Sequence, residues 1–298
     1  MSIAVHGFSD GEASALALAR TLDVPFGLVK THEFPDGEVL PTVPEPASTV
    51  IVLRSLDRPN AKLVELVLAA EAWRRLGVRR LVLVAPYLAY MRQDATFHAG
   101  QAVSQRAVAA LLGQHFDRIV TVNAHLHRTP DIAELFPDTP AQNLSAAGPI
   151  ADWLAAAAWL GPEGLIIGPD EESLPLVQAV AGRLGLPFHV FAKLRTDDRT
   201  VELKLATPDG LHGRPAVILD DICSTGATLI AAIRRARSEG ATDVRVAVVH
   251  ALFDETTLAR LRVAGASQIA STDSVRHPTN AIALNGLLAE ALASEVDR

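Results

Sequence analysis

The chain has 298 residues, 49% of them hydrophobic and 20% charged, which predicts a packed globular core and argues against disorder. Its 27 Lys and Arg against 34 Asp and Glu give a net charge of −7, which argues against bulk nucleic-acid affinity and fits an anion held at a local basic site. A single cysteine, no signal-like N-terminus and no apolar run of membrane-spanning length predict a cytoplasmic protein without membrane attachment.

Apolar strand-like runs alternate with amphipathic helical segments almost throughout, predicting an α/β fold with mostly parallel, buried strands. Early in the chain, Phe34-Pro-Asp-Gly-Glu38 has a Pro-Asp-Gly core that reads most simply as a tight turn. Thr49-Val-Ile-Val-Leu53 reads as a strand. Asn60 is expected to cap a helix through Arg75, with Leu63, Leu66, Val67 and Ala70 on one face and Gly77 as its stop. The strand Arg80-Leu-Val-Leu-Val-Ala85 ends at Pro86 and leads to Arg92, Gln93 and Asp94. The carboxyl end of a parallel strand is where open α/β sheets bind ligands. There a guanidinium fork suits phosphate oxygens, and Gln can read a purine edge.

A helix is expected over about 104–116, then the strand Arg118-Ile-Val-Thr-Val122, which runs into Asn123-Ala-His-Leu-His-Arg128. His125 and His127 read either as metal ligands or as hydrogen-bonded imidazoles. Residues 137–149, rich in Pro, Ala, Ser and Asn, look like a linker, so two domains are expected at 1–145 and 146–298. Beyond it, Leu165-Ile-Ile167 reads as a strand ending in Gly168-Pro-Asp170, and a helix follows over about 174–184. The acids from Asp170 to Glu172 fit either a helix first turn or a site sharing Mg²⁺ with a phosphate. A hairpin is expected from strands near 189–194 and 201–205. The two-residue period puts Lys193 and Arg195 on one side of it, where two cations would suit phosphoryl transfer.

The most informative stretch is Val217-Ile-Leu-Asp-Asp-Ile-Cys-Ser-Thr-Gly-Ala-Thr-Leu229. A β-branched run delivers Asp220 and Asp221 to a Ser/Thr/Gly loop that opens a helix. Amides at the helix start and its dipole can hold a phosphate, helped by the hydroxyls of Ser224, Thr225 and Thr228, while Gly226 admits the anion close to the backbone. The two carboxylates are then placed to accept hydrogen bonds from sugar hydroxyls. Strands are expected near 244–250 and 268–271, and a last helix over 280–293. The similar βα rhythm of the two halves suggests an internal duplication.

Taken in order, these motifs resemble those of the ribose-phosphate diphosphokinase (PRPP synthase) family over almost the whole chain. The resemblance implies two tandem phosphoribosyltransferase-like α/β domains, each with a mostly parallel sheet flanked by helices, with the last helix packing back on the first. It implies Mg²⁺-dependent transfer of the diphosphoryl group of ATP to ribose 5-phosphate by a homo-oligomer, a dimer or a hexamer. Phe34, Asp36 and Glu38 would contribute to adenine binding from a neighbouring subunit, and Arg92, Gln93 and Asp94 would contact ATP. His125 and Asp170 would be associated with Mg²⁺, and Lys193 and Arg195 would form the catalytic arm. Asp220 and Asp221 would hold ribose hydroxyls, and Ser224, Thr225, Gly226, Ala227 and Thr228 the 5-phosphate.

Three positions depart from the family pattern: Asn123 stands for the usual Asp, residues 95–99 lack the usual basic run, and Ser224 replaces a common Asp. The motif order leaves two other readings, a PRPP-consuming phosphoribosyltransferase and a catalytically weak regulatory subunit.

Overall fold

The computed structural model describes residues 2–96, 98–126, 128–191 and 210–296. The N-terminal half runs β1 (Ile3–Phe8), α1 (Glu12–Leu22), β2 (Phe26–Glu33), β3 (Val39–Thr42), β4 (Thr49–Leu53) and α2 (Pro59–Arg75). It continues with β5 (Arg80–Ala85), α3 (Ser104–His115), β6 (Arg118–Val122) and β7 (Ala141–Leu144). Next come α4 (Ala147–Ala156), β8 (Leu165–Gly168), α5 (Leu174–Leu184), β9 (Phe188–Val190) and β10 (Pro215–Cys223). The chain closes with α6 (Ala227–Ser238), β11 (Asp243–Ala251), α7 (Glu255–Ala264), β12 (Ile269–Thr272), β13 (Asn280–Ile282) and α8 (Asn285–Val296). Of the hairpin expected from strands near 189–194 and 201–205, only residues 189–191 are described, and the rest lies outside the described residues.

Residues 1–144, 274–276 and 284–298 form one compact unit, and 145–273 with 277–283 form a second. In the first, a seven-stranded sheet has the order β3-β2-β1-β4-β5-β6-β7, parallel except at β3. The second has a parallel six-stranded sheet, β13-β12-β11-β10-β8-β9. Strands β4 and β5 are apolar and almost wholly buried, as a parallel sheet covered on both faces requires. Helix α2 buries Leu63, Leu66, Ala69, Ala70 and Trp73 against that sheet. Trp73 Nε1–H donates to His6 Nδ1 at 3.0 Å. Burial pushes the His6 imidazole down to about 4, so near neutrality it is uncharged and able to accept that bond.

Three local expectations need correction. Asn60 does not cap α2: the residue before the helix is Arg58 at φ +49°, Pro59 fills the first position, and the Asn60 side chain accepts from the Tyr90 hydroxyl. Proline has no N–H to satisfy, so the usual side-chain cap is dispensable there. The region 137–149 is not a simple linker, because it holds the edge strand β7 and opens α4. Residues 280–282 form β13, and the closing helix starts only at Asn285. That helix belongs to the first unit and packs on α1.

Candidate functional site

In the second unit, β10 lies between β8 and β11 and carries two acids to its carboxyl end. Asp220 is 8% exposed, and its Oδ1 accepts from the Asp221 amide at 3.0 Å. Burial lifts its carboxyl well above the ordinary range, and the charges of Asp221 and Asp170 add to the lift. Asp170 reaches this cluster from the end of β8, 7% exposed, with Oδ1 accepting from the Glu172 amide at 3.2 Å. Gly168 admits this turn: a Cβ there would meet Ser173 Oγ at 2.2 Å.

The loop after β10 exposes Ser224, Thr225, Ala227 and Thr228 and buries Gly226. Gly226 has φ +73° and precedes α6, and no side chain caps that helix. Helix α7 differs, for Asp254 Oδ1 accepts from the Thr257 amide at 2.8 Å. The α6 N-terminus therefore offers orphan amides and a dipole beside exposed hydroxyls, an anion-binding arrangement, with hydrogen-bond acceptors directly upstream. A Cβ on Gly226 would meet Thr257 Cγ2 at 2.6 Å, so both backbone angle and space demand glycine. Cys223 is buried, and burial foremost, then the Asp220 charge, pushes its thiol up to about 12, which removes it as a nucleophile. Together the cluster can bind a phosphorylated polyol, phosphate on the helix and hydroxyls on the carboxylates.

The first unit gathers its candidates at the ends of β5 and β6. Arg92 and Gln93 are exposed, whereas the Asp94 side chain is 3% exposed and pairs with Arg128 Nη1 at 2.8 Å. His125 lies on the same strand-end loop as Arg128, after Asn123, whose φ is +41°. Asn is one of the few residues that tolerate that left-handed conformation, a backbone reason for amide or acid at the position. Phe34, Asp36 and Glu38 form the exposed turn between β2 and β3. There the Phe34 N–H donates to Glu38 O at 2.8 Å, and Asp36 Oδ1 accepts from the Glu38 amide at 3.1 Å. Gly37 at φ +90° allows the turn, and the Phe34 ring meets His32 edge-on at 4.6 Å.

Lys193, Arg195 and His127 lie outside the described residues. Among the described residues, no three His, Cys, Asp or Glu side chains are grouped to hold a metal by themselves. Asp170, beside Asp220 and Asp221, fits Mg²⁺, which is commonly held by one or two carboxylates together with substrate phosphates. The mutual repulsion of the three acids is what a cation would relieve.

Sequence patterns give no signal for two contacts here: Gln105, in the first turn of α3 and 2% exposed, joins loops that lie far apart in sequence, and Arg128 pairs with Asp94 across them.

Residues 3–115 match the family model described as the N-terminal domain of ribose phosphate pyrophosphokinase, and 150–264 that of the phosphoribosyl transferase domain. The chain is 34% identical over 286 residues to a ribose-phosphate pyrophosphokinase of Methanopyrus kandleri, covering 95% of this chain and 96% of that one. Identity to the Pyrococcus furiosus ribose-phosphate pyrophosphokinase is 34% over 261 residues, covering 87% of this chain and 90% of that one. A crystal structure of phosphoribosylpyrophosphate synthetase from Mycobacterium smegmatis shares the fold, with TM-score 0.84 at 24% identity over 100% of this chain and 99% of that one.

Proposed function

The chain belongs to the ribose-phosphate pyrophosphokinase family, and from that membership we infer that it transfers the diphosphoryl group of ATP to O1 of ribose 5-phosphate, giving PRPP and AMP for nucleotide synthesis. The observation that carries the substrate side is the uncapped α6 N-terminus at Gly226, directly after buried Asp220. Its amides and the hydroxyls of Ser224, Thr225 and Thr228 hold the 5-phosphate, while Asp220 and Asp221 accept from the ribose hydroxyls. Residues 146–298 carry this sugar-phosphate loop, and 1–145 carry the ATP-side motifs.

Arg92 and Gln93 contact ATP, and Asp94 supports the same loop. Phe34, Asp36 and Glu38 bind adenine from a neighbouring subunit, which makes the protein a homo-oligomer, a dimer or a hexamer. Asp170 and His125 are the residues that would hold Mg²⁺, which supplies charge neutralisation of the diphosphoryl group when bound. Lys193 and Arg195 stabilise charge on the transferred group. The lone buried Cys223 suits a cytoplasmic setting, and no helix among the described residues is long and apolar enough to cross a membrane.

A domain that only consumes PRPP has no use for the Arg-Gln-Asp loop, and a purely regulatory chain has none for an intact phosphate loop. Incubation with ATP, Mg²⁺ and ribose 5-phosphate should release AMP and PRPP in equal amounts. Lys193→Ala should lower turnover by a factor on the order of a thousand, the scale of a lost phosphoryl-transfer cation, while ribose 5-phosphate still binds. ATP left intact, or ADP as the product, would defeat the assignment.

A further inference from the structure

The ends of β5 and β6 are stitched into one platform by two independent cross-links. One is the Asp94–Arg128 ion pair at 2.8 Å. The other runs through buried Gln105: its Nε2 donates to Met91 O at 3.3 Å, its amide to Gln93 O at 3.3 Å, and its Oε1 accepts from Thr129 Oγ1 at 3.4 Å. The ion pair is lopsided. The carboxylate is 3% exposed and the guanidinium 54%, so the acid is a fixed anchor and the cation its outward-facing end. Asp94 Oδ2 is buried without a hydrogen-bond partner, so a ligand cannot reach that acid as the loop stands.

We propose that Arg128 is a contact for the phosphate chain of the nucleotide, and that Asp94 is its positioning residue rather than a nucleotide ligand. A guanidinium tethered through Nη1 to a carboxylate is held on this platform, and its planar donors suit phosphate oxygens. It stands on the same platform as exposed Arg92 and Gln93. Residues 95–99, Ala-Thr-Phe-His-Ala, carry no Lys or Arg, so Arg128 brings from the neighbouring strand a cation that the Arg92 loop lacks beyond Arg92 itself.

This assignment rests on the ATP-dependent reading above, so direct binding of Mg-ATP and steady-state turnover are measured separately. Arg128→Met should weaken Mg-ATP binding and raise the KM for ATP about tenfold, the scale of one charge-assisted hydrogen bond. The KM for ribose 5-phosphate should hold, while the thermal midpoint falls because buried Asp94 loses its partner. Arg128→Lys should recover part of the loss. Asp94→Asn should also raise the KM for ATP, but add little once Arg128 is already Met, and the same coupling should appear in direct Mg-ATP affinity, which a merely structural pair would not move. Unchanged Mg-ATP affinity in Arg128→Met, or fully additive losses, would overturn the proposal. A wild-type chain that binds Mg-ATP but makes no PRPP would instead sink the function while leaving Arg128 to be judged by binding.

Discussion

Burial is the first reason the Asp220 carboxyl sits well above the ordinary range, and the nearby charges of Asp221 and Asp170 are the next. A group held that way opposes folding when ionised, and the proposed function gives the reason it persists, an acceptor for a sugar hydroxyl. Asp220→Asn keeps an oxygen to accept from the Asp221 amide and removes one charge of the cluster. The variant should unfold at the same temperature or a few degrees higher, a gain on the order of 1 kcal/mol. Its ribose 5-phosphate affinity should fall at least about tenfold. Calorimetric melting and titration on one sample separate the two effects; a lower melting point with intact binding would reverse the assignment. Asp220 and Gly226 were legible in the sequence, because a strand, paired acids and a glycine-bearing loop leave a compositional trace. Gln105 was not, since one Gln in a helix first turn shows its partners only when the loops beside it fold.

Among the elements, α8 shows how a helix that looks unremarkable in sequence is fastened. Glu295 on its last turn is almost wholly buried and accepts from Arg80 Nε at 2.6 Å and Arg118 Nη1 at 2.9 Å, at the starts of β5 and β6. Burial alone would raise its carboxyl, but the hydrogen bonds from Arg80 and Arg118 outweigh that and bring it down to about 2. Ordinary carboxyls protonate near 4.5 in the unfolded chain, so below that pH the unfolded state takes up a proton the native state refuses. The stabilisation is therefore complete above pH 4.5 and lost as pH falls toward 2. Glu295→Gln should cost about 3 kcal/mol at pH 7, read from urea unfolding, with the gap to wild type closing in acid. Equal midpoints at pH 7 would show that the pair does not fasten the helix. The bounds of α8 and β7 escaped sequence reading for the same reason. Short edge strands such as Ala141–Leu144 and Asn280–Ile282 are partly exposed and lack the apolar run that marked β4 and β5.

At the scale of the whole chain, the suggestion of duplication acquires a topological basis. With the antiparallel β3 set aside, the first sheet reads β2-β1-β4-β5-β6-β7 and the second β9-β8-β10-β11-β12-β13, one strand order repeated. The turn from β4 into α2 is then the counterpart of the proposed phosphate loop from β10 into α6. Its content differs. Lys62 Nζ lies 2.8 Å from Asp10 and 2.7 Å from Asp57, Arg54 is 3.0 Å from Glu65, and the helix opens on Pro59, which has no amide to donate. Arg54 and Lys62 are already held by carboxylates, the first helical position has no amide to offer an anion, and Ser-Thr-Gly is replaced by Arg-Ser-Leu-Asp-Arg. One ribose 5-phosphate should therefore bind per chain, not two. Calorimetric titration of the wild type should give a stoichiometry of one, and Lys62→Ala should not add a second site. Gly226→Ala puts a side chain at φ +73° and 2.6 Å from Thr257 Cγ2, so it should remove binding entirely. Residual binding at full stoichiometry in Gly226→Ala would place the sugar phosphate elsewhere in the molecule, and the β4–α2 turn would be the first place to look.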